Sequence, residues 1–338
     1  MFQTMEATRL EGLHLAQHPS GLRAIVAIHN TRLGPALGGC RYQVYDDERQ
    51  ALRDAMLLAR GMSRKAALAG LPFGGGKVVL LRPAHPDSRA ELFEALGRFI
   101  DTLGGRFIAA IDSGTSSADM DCIARQTQYV SCTTAAGDPA AHTALGVFAG
   151  IRATALARLG SDNLEGLRIA IQGLGRVGFA LAEQLQAAGA ELLVSDLDGG
   201  RVQLAVEQLG AQPVSCEALL ATPCDILAPC ALGAVLDSRS IAQLRCAAVA
   251  GSANNPLLDE SLAEDLEARG ILYAPDYVIN AGGLMHAALS YQGAAAGSLA
   301  AQLARIPQRL TELFAHAQAE KRSPAWVAER MAERMLYG

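Results

Sequence analysis

Leu167-Arg-Ile-Ala-Ile-Gln172 runs directly into Gly173-Leu174-Gly175-Arg176-Val177-Gly178, and Arg176 to Ala188 continues at helical spacing. An apolar strand, a G-x-G-x-x-G turn and a helix that opens inside the turn form the first half of a β-α-β unit. The first glycine permits the tight turn. The second lets a pyrophosphate approach bare backbone, and the third lets helix and strand pack closely. The helix N-terminus adds N–H groups and a positive dipole end for phosphate. Glu191 to Asp196 reads as the next strand, and Asp196 stands 18 residues beyond Gly178, where an acid accepts from ribose hydroxyls. A glycine turn in an unrelated sheet would share the motif but not these flanks. Asp196 would repel a 2′-phosphate, which favours NAD over NADP, while Arg201 nearby in sequence works against that preference.

Outward from this unit, Asp225 to Leu227, Ala247 to Ala250 and Ile271 to Tyr273 are further strand-like runs with helical stretches between them. That rhythm predicts a parallel, doubly wound sheet. Ala141 to Leu159 leads into it as a helix, and the Asp138-Pro139 turn marks a domain boundary. Upstream, Gly21 to His29, Val78 to Leu81 and Arg106 to Ile111 read as strands and Asp46 to Arg60 as a helix, with Pro83 and Pro86 interrupting. Leu299 to Leu336 is helical with a break at Ser323-Pro324. The expected architecture is α/β with two domains: an N-terminal α/β domain over 1–137 and a Rossmann-type, doubly wound dinucleotide-binding domain over 138–305. Helices over 306–338 are expected to return to the first domain.

Composition narrows the function classes. With 338 residues, 50% hydrophobic and 19% charged, the chain is long enough for two buried cores and is not disordered. A net charge of −5 offers no basic face, so no nucleic-acid partner is expected. Seven cysteines without a C-x-x-C spacing look like thiols of a reducing compartment. The first fifteen residues carry Glu6, Arg9 and Glu11 and do not read as a signal peptide. The window Ile279 to Ala304 is too rich in Ala and Gly to span a bilayer. A cytoplasmic protein without membrane partners is expected. The seven histidines, His85 among them, are scattered and indicate no metal.

Lysine carries a signal by its rarity. Only three of the 29 basic residues are lysines, and Lys65 and Lys77 flank one segment, Lys65-Ala-Ala-Leu-Ala-Gly-Leu-Pro-Phe-Gly-Gly-Gly-Lys77. Lysine can give up its proton where guanidinium cannot, so a lysine kept here points to acid–base work. A salt bridge at the start of a strand accounts for Lys77 equally well. The segment is not a Walker A loop, since Leu71 and Val78 stand where glycine and Ser/Thr are required. Gly74-Gly75-Gly76 is therefore read as a loop bringing bare backbone close to a small ligand. Asp112 ends the apolar run Phe107 to Ile111, a position suited to proton transfer, although a turn or cap aspartate would look the same.

Taken together, Gly34-Pro-Ala-Leu-Gly-Gly-Cys-Arg41, Gly61-Met-Ser-Arg-Lys-Ala-Ala67, Leu71-Pro-Phe-Gly-Gly-Gly-Lys77, Asp112-Ser-Gly-Thr115, Gly137-Asp-Pro139, Gly173 to Gly178, Cys224-Asp-Ile-Leu-Ala-Pro-Cys-Ala-Leu-Gly-Ala234 and Ala274-Pro-Asp-Tyr-Val-Ile-Asn-Ala-Gly-Gly283 resemble the Glu/Leu/Phe/Val dehydrogenases. The blocks occur in family order over nearly the whole chain, and the leucine dehydrogenase branch is the nearest.

The resemblance implies NAD-dependent, reversible oxidative deamination of an L-amino acid to its 2-oxo acid and ammonia, by a homo-oligomer. It implies a catalytic Lys77, acting on the attacking water and the developing carbonyl oxygen, and a proton-shuttling Asp112. Lys65 would hold the substrate carboxylate, Gly38 and Gly39 would line the substrate, and Thr143 and Asn280 would hold the nicotinamide carboxamide and substrate end. Ala231, Ser252, Ala253 and Asn254 would lie along the cofactor. The first domain would then be the substrate and oligomerisation domain, with catalysis in the cleft between the two. Leu37 stands where glutamate-specific relatives place a lysine; a buried side-chain carboxylate without a cation costs several kcal/mol. With small Ala110 and adaptable Met62, this predicts an apolar substrate of the leucine, valine or isoleucine type. Phenylalanine and tryptophan remain alternatives, because one methylene discriminates by only about 1–3 kcal/mol. A non-catalytic NAD-binding sensor on this scaffold would lack Lys77 or Asp112, and both are present. Ile111, Ser113, Cys40 and His142 depart from the leucine branch, and the chain stops at Gly338, short of that branch's longer tail.

Overall fold

The computed structural model describes residues 2–83, 88–231, 233, 235–294 and 297–338. His85, Pro86, and Leu232 and Ala234 of the Cys224–Ala234 block lie outside them. The chain forms two compact units. One holds Met1–Pro139, Leu284–Ser298 and Ala332–Gly338; the other holds Ala140–Gly283 and Leu299–Met331. Where the sequence reading assigns 306–338 to the first domain as one segment, only 332–338 lies there, joined by 284–298.

The first unit contains α1 (Phe2–Thr8), β1 (Gly12–His18), β2 (Leu22–Asn30), β3 (Ala36–Gln43), α2 (Glu48–Leu68), β4 (Gly74–Leu81), α3 (Arg89–Asp101), β5 (Phe107–Ile111) and α4 (Ser117–Ala124). Its sheet runs β1-β2-β4-β3-β5, with β1 and β4 antiparallel to β2 and with β4, β3 and β5 mutually parallel. Asp47 starts α2 by accepting from Gln50 N–H, and Ser116 and Asp119 form a capping box on α4. Ala51, Ala55, Met56 and Ala59 make the apolar stripe of α2, which packs on Ile25, Ala27 and Val79 of the sheet.

The glycine segment is not a loop. Gly74, Gly75 and Gly76 open β4, and the reason is crowding by protein rather than access for a ligand. A Cβ would lie 1.9 Å from the Asn30 carbonyl oxygen at Gly74 and 2.0 Å from the Ser63 nitrogen at Gly75. Across the sheet, a Cβ at Gly38 would lie 1.9 Å from the Gly76 carbonyl oxygen. Gly38→Ala is accordingly expected to lower unfolding free energy by about 3 kcal/mol in urea titration. Gly61→Ala, where a Cβ meets nothing within 4 Å, is the control expected to be neutral or slightly stabilising. Equal midpoints for both variants would contradict this account.

The second unit contains α5 (Pro139–Leu159), β6 (Arg168–Gln172), α6 (Arg176–Ala187), β7 (Glu191–Ser195), α7 (Gly199–Leu209), β8 (Gln212–Pro213), α8 (Cys216–Leu219) and β9 (Ile226–Pro229). It continues with α9 (Ser238–Gln243), β10 (Ala248–Val249), α10 (Leu262–Ala268), β11 (Leu272–Tyr273) and α11 (Asp276–Ile279). Then follow α12 (Gly282–Tyr291), which crosses into the first unit's residues, α13 (Gly297–Leu303), α14 (Arg305–Glu320) and α15 (Pro324–Tyr337). All six strands are parallel, in the order β11-β10-β9-β6-β7-β8. The chain runs outward from β6 on one side, returns to the centre, and runs outward from β9 on the other. Such an order places a switch point at the carboxyl ends of β6 and β9.

Among the described residues α5 is the one helix long and apolar enough to cross a membrane, with mean hydropathy 1.2. Its small residues serve internal packing instead. A Cβ at Gly146 would strike Ile306, and one at Gly150 would strike Ile279.

Candidate active site

Lys77 is the fourth residue of β4, 3% exposed, and its Nζ lies 2.8 Å from Asp112 Oδ2. Asp112 follows β5 directly. Thr115 Oγ1 accepts from the Asp112 N–H at 2.9 Å and donates to the Cys40 carbonyl at 3.0 Å. Tyr42 N–H donates to the Ser113 carbonyl, and Gly114 takes φ +81°, so the turn is pinned along β3. A Cβ at Gly39 would lie 2.6 Å from Asp112 Cβ, so the glycine admits the carboxyl against the sheet. Both residues singled out for acid–base work thus form one ion pair, as the salt-bridge reading of Lys77 expects.

Arg41, quoted above only as the end of a motif, is a third member. Its Nε donates to the same Oδ2 at 3.0 Å, and its Nη1 donates to Asp54 at 3.1 Å. Burial alone would raise the Asp112 carboxyl, but the Lys77 ammonium and Arg41 guanidinium outweigh it and hold the group down at about 2. Cys40, beside them, is fully buried; burial pushes its thiol up to about 12, so it is no nucleophile.

The remaining candidates of this unit cluster by strand register. Leu37 pairs with Gly75 and Ile108, Gly38 with Ala109, and Gly39 with Ala110. Leu37 and Ala110 are buried, and Met62 is half-buried one residue before Ser63 on α2. Because Ser63 meets Gly75, the last turns of α2 lie over the start of β4. Buried Lys65 follows Ser63 by two residues, and Lys77 follows Gly75 by two.

In the second unit the fingerprint glycines have separate causes. Gly173 takes φ +96°, and a Cβ there would lie 2.7 Å from the Ala231 nitrogen. A Cβ at Gly178 would lie 2.1 Å from the Gly173 carbonyl oxygen, which is the close helix–strand packing expected of the third glycine. A Cβ at Gly175 meets nothing within 4 Å, so bare backbone faces open space at the N-terminus of α6, beside Arg176 and Val177. That is the cradle a pyrophosphate needs. Asp196 accepts from Leu174 N–H at 2.6 Å and Asp198 N–H at 2.8 Å, and Arg201 stands 3.9 Å from Asp196 and 3.4 Å from Asp198.

From the switch point the candidates continue without a gap. Ala253 N–H donates to the Pro229 carbonyl, and Asn280 Nδ2 donates to the Ser252 carbonyl at 3.1 Å and Asn254 Oδ1 at 3.0 Å. Asn280 Oδ1 is buried without a hydrogen-bond partner among the described residues, which suits a carboxamide donor. Thr143 lies in the first turns of α5, where a Cβ at Gly282 would lie 2.2 Å from the His142 carbonyl oxygen. The residues present therefore fit a dinucleotide.

Residues 14–129 match the Glu/Leu/Phe/Val dehydrogenase dimerisation domain, and 201–331 match the Glutamate/Leucine/Phenylalanine/Valine dehydrogenase domain. The chain is 42% identical to the leucine dehydrogenase of Geobacillus stearothermophilus, covering 99% of itself and 93% of that protein. It is 40% identical to the phenylalanine dehydrogenase of Bacillus thermotolerans, covering 94% and 85%. The crystal structure of L-tryptophan dehydrogenase from Nostoc punctiforme superposes with a TM-score of 0.84 at 38% identity, covering 99% and 98%. On motif, fold and full-length similarity, the chain belongs to the Glu/Leu/Phe/Val dehydrogenase family and is an amino acid dehydrogenase.

Proposed function

We propose that the chain catalyses the NAD-dependent, reversible oxidative deamination of an apolar L-amino acid of the leucine, valine or isoleucine type, releasing the 2-oxo acid, ammonia and NADH. The observation that carries this reading is the buried Lys77–Asp112 pair. Full-length similarity to leucine dehydrogenases and the buried Leu37 support the side-chain class.

Bound NAD would supply the acceptor for the hydride that leaves the substrate Cα. Lys65 holds the substrate carboxylate beside a patch formed by Leu37, Gly38, Gly39, Ala110 and Met62. Hydride can leave only from a neutral amine, and Asp112 takes that proton. A carboxyl held near 2 is a weak base, so Asp112 accepts it as Lys77 releases its own proton to solvent, the one proton the overall reaction liberates, and the nearest cation disappears. Neutral Lys77 then takes a proton from the water that attacks Cα, and Asp112 returns its proton to the nitrogen. The carboxylate so regenerated takes the hydroxyl proton as the C–N bond breaks and hands it to the departing ammonia.

Gly173 to Gly178, Asp196, Ala231, Ser252, Ala253 and Asn254 hold NAD, with Asn280 and Thr143 at the nicotinamide and substrate end. Asp196 supports NAD over NADP, and Arg201, which alone would work the other way, is drawn to the Asp196 and Asp198 carboxylates. Gly175→Ala is expected to raise the KM for NAD about 10- to 100-fold while the unfolding midpoint holds, since the added methyl fills ligand space rather than protein. An unchanged KM would remove Gly175 from the cofactor site. A homo-oligomer and a cytoplasmic location belong to the same reading, supported by the dimerisation-domain match and by seven cysteines that are all free thiols.

A second reading, an aromatic substrate, is favoured by the nearly complete mutual coverage with the L-tryptophan dehydrogenase. The test is initial rates of NADH formation with leucine, valine, isoleucine, phenylalanine, tryptophan and glutamate. Highest kcat/KM with a branched aliphatic side chain supports the first reading, and highest kcat/KM with phenylalanine or tryptophan supports the second. Activity with glutamate alone would overturn both. Tight NAD binding without any turnover would favour a sensor.

A further inference from the structure

Asp112 has a second cation on the oxygen that Lys77 touches, and that cation is itself built into place. Arg41 is 13% exposed on β3. Its Nε donates to Asp112 Oδ2 at 3.0 Å, and its Nη1 donates to Asp54 Oδ2 at 3.1 Å and Oδ1 at 3.4 Å. Asp54 projects from α2, and Tyr45 Oη donates to its Oδ2 at 2.5 Å. Burial and the bond to Asp54 push the Tyr45 phenol well up, so it remains a donor. The order is thus Lys77, Asp112, Arg41, Asp54, Tyr45: ammonium, carboxylate, guanidinium, carboxylate and phenol, joined across β4, β3 and α2.

We propose that Arg41 is a positioning residue for the reaction, holding Asp112 Oδ2 against β3 so that the carboxyl presents Oδ1 to the substrate amine in one orientation. The inference rests on the proton-transfer reading of Asp112 given above. Lys77 cannot hold this orientation alone, because that reading has it change charge within the cycle. A guanidinium keeps its proton throughout and offers a rigid fork, one arm of which is fixed by Asp54. Arg41 therefore keeps Asp112 aimed during the interval in which Lys77 is neutral. Among the described residues, the Cys40 thiol on β3 and Asp119 on α4, which is bound by Arg89 at 2.7 Å, also bear electrostatically on this cluster. Neither touches the Asp112 carboxyl. Nothing in composition or spacing marks Arg41, because its two partners lie 71 and 13 residues away in sequence.

The test compares Arg41→Gln, Arg41→Lys and Lys77→Ala with the unaltered protein, reading kcat and KM for the amino acid, the pH profile of kcat/KM and the melting temperature. Arg41→Gln is expected to lower kcat at least tenfold with KM within about threefold, and to move the acid limb of kcat/KM upward by about one pH unit, since the coupled Lys77–Asp112 pair loses a permanent cation and holds its protons more tightly. Arg41→Lys restores a charge without the fork. It is expected to return the acid limb toward its original position while kcat stays at least fivefold low. An unchanged kcat and acid limb in Arg41→Gln would overturn the proposal. So would activity that falls only in proportion to folded protein, with the acid limb unmoved. Should Arg41→Gln not fold, full kcat in Arg41→Lys would overturn it by itself. Loss of activity in Lys77→Ala together with an indifferent Arg41→Gln would sink this inference alone, whereas an active Lys77→Ala would sink the reading of the site beneath it.

Discussion

Lys77→Ala is expected to lower kcat for oxidative deamination by three to four orders of magnitude, about the full contribution of a positioned acid–base group. The affinity for NAD is expected to stay within twofold, because the fingerprint glycines and the Asn280 cluster belong to the other unit. Two jobs are lost together: the attacking water has no base, and the developing oxygen has no cation. The fold is expected to survive, since Asp112 retains the Arg41 guanidinium at 3.0 Å and is not left as an uncompensated buried charge. Steady-state kinetics with leucine and titration of NAD by fluorescence check both halves. A variant with kcat within tenfold of the original would contradict the role given to Lys77.

Asp112→Asn is expected to be nearly as inactive, with kcat down by two to four orders of magnitude, and to be less stable as well. The side chain keeps its shape but cannot take the amine proton, and it leaves Lys77, 3% exposed, without its carboxylate. Breaking a buried pair in this way costs about 3 kcal/mol.

The pH dependence gives a second handle. The Asp112 carboxyl lies at about 2 in the folded chain against an ordinary 3.8, so the unfolded state binds the proton more readily. The resulting stabilisation is fully present above pH 3.8 and is lost as pH falls through 2, a contribution of about 2 kcal/mol by proton linkage. Urea unfolding at a series of pH values between these limits should show the original protein losing about that much more than Asp112→Asn. Parallel curves would mean that the ion pair does not stabilise the fold.

How much could be read beforehand depended on whether the cause of each residue was local. The strand before the fingerprint, expected over 167–172, is β6 at 168–172, and the strand expected over 191–196 is β7 at 191–195. Parallel strands buried on both faces are continuous apolar runs, and a glycine turn joined to a helix start announces itself within a dozen residues. In the first unit the strands expected over 21–29, 78–81 and 106–111 are β2 at 22–30, the second half of β4 and β5 at 107–111, whereas β3, with Gly38 and Gly39, and the three glycines that open β4 carry no strand propensity. Those glycines answer to Gly76, Asp112, Asn30 and Ser63, none of them a neighbour in sequence. β1 shows no strand pattern in the sequence because it is an edge strand whose exposed and half-buried residues mix His14 and Gln17 with Leu13 and Leu15.

The site divides along the same line. Lys77 was visible through the scarcity of lysine, and Asp112 through its place after an apolar run. Their contact, and the Arg41 bond that completes it, are products of strand register alone. The return of 284–298 to the first unit, where Ser131 Oγ donates to the Ala287 carbonyl at 2.7 Å, likewise had no signature in the chain.

The central claim is that hydrogen at the substrate Cα leaves as hydride while side chains of the first unit move only protons. L-leucine carrying deuterium at Cα, turned over with NAD in ordinary water, tests it most directly by mass spectrometry of the products. The account predicts one deuterium in each reduced cofactor, none released to solvent, and a 2-oxo acid formed in equal amount. Deuterium appearing in water, with the cofactor reduced by unlabelled hydrogen or not at all, would contradict it.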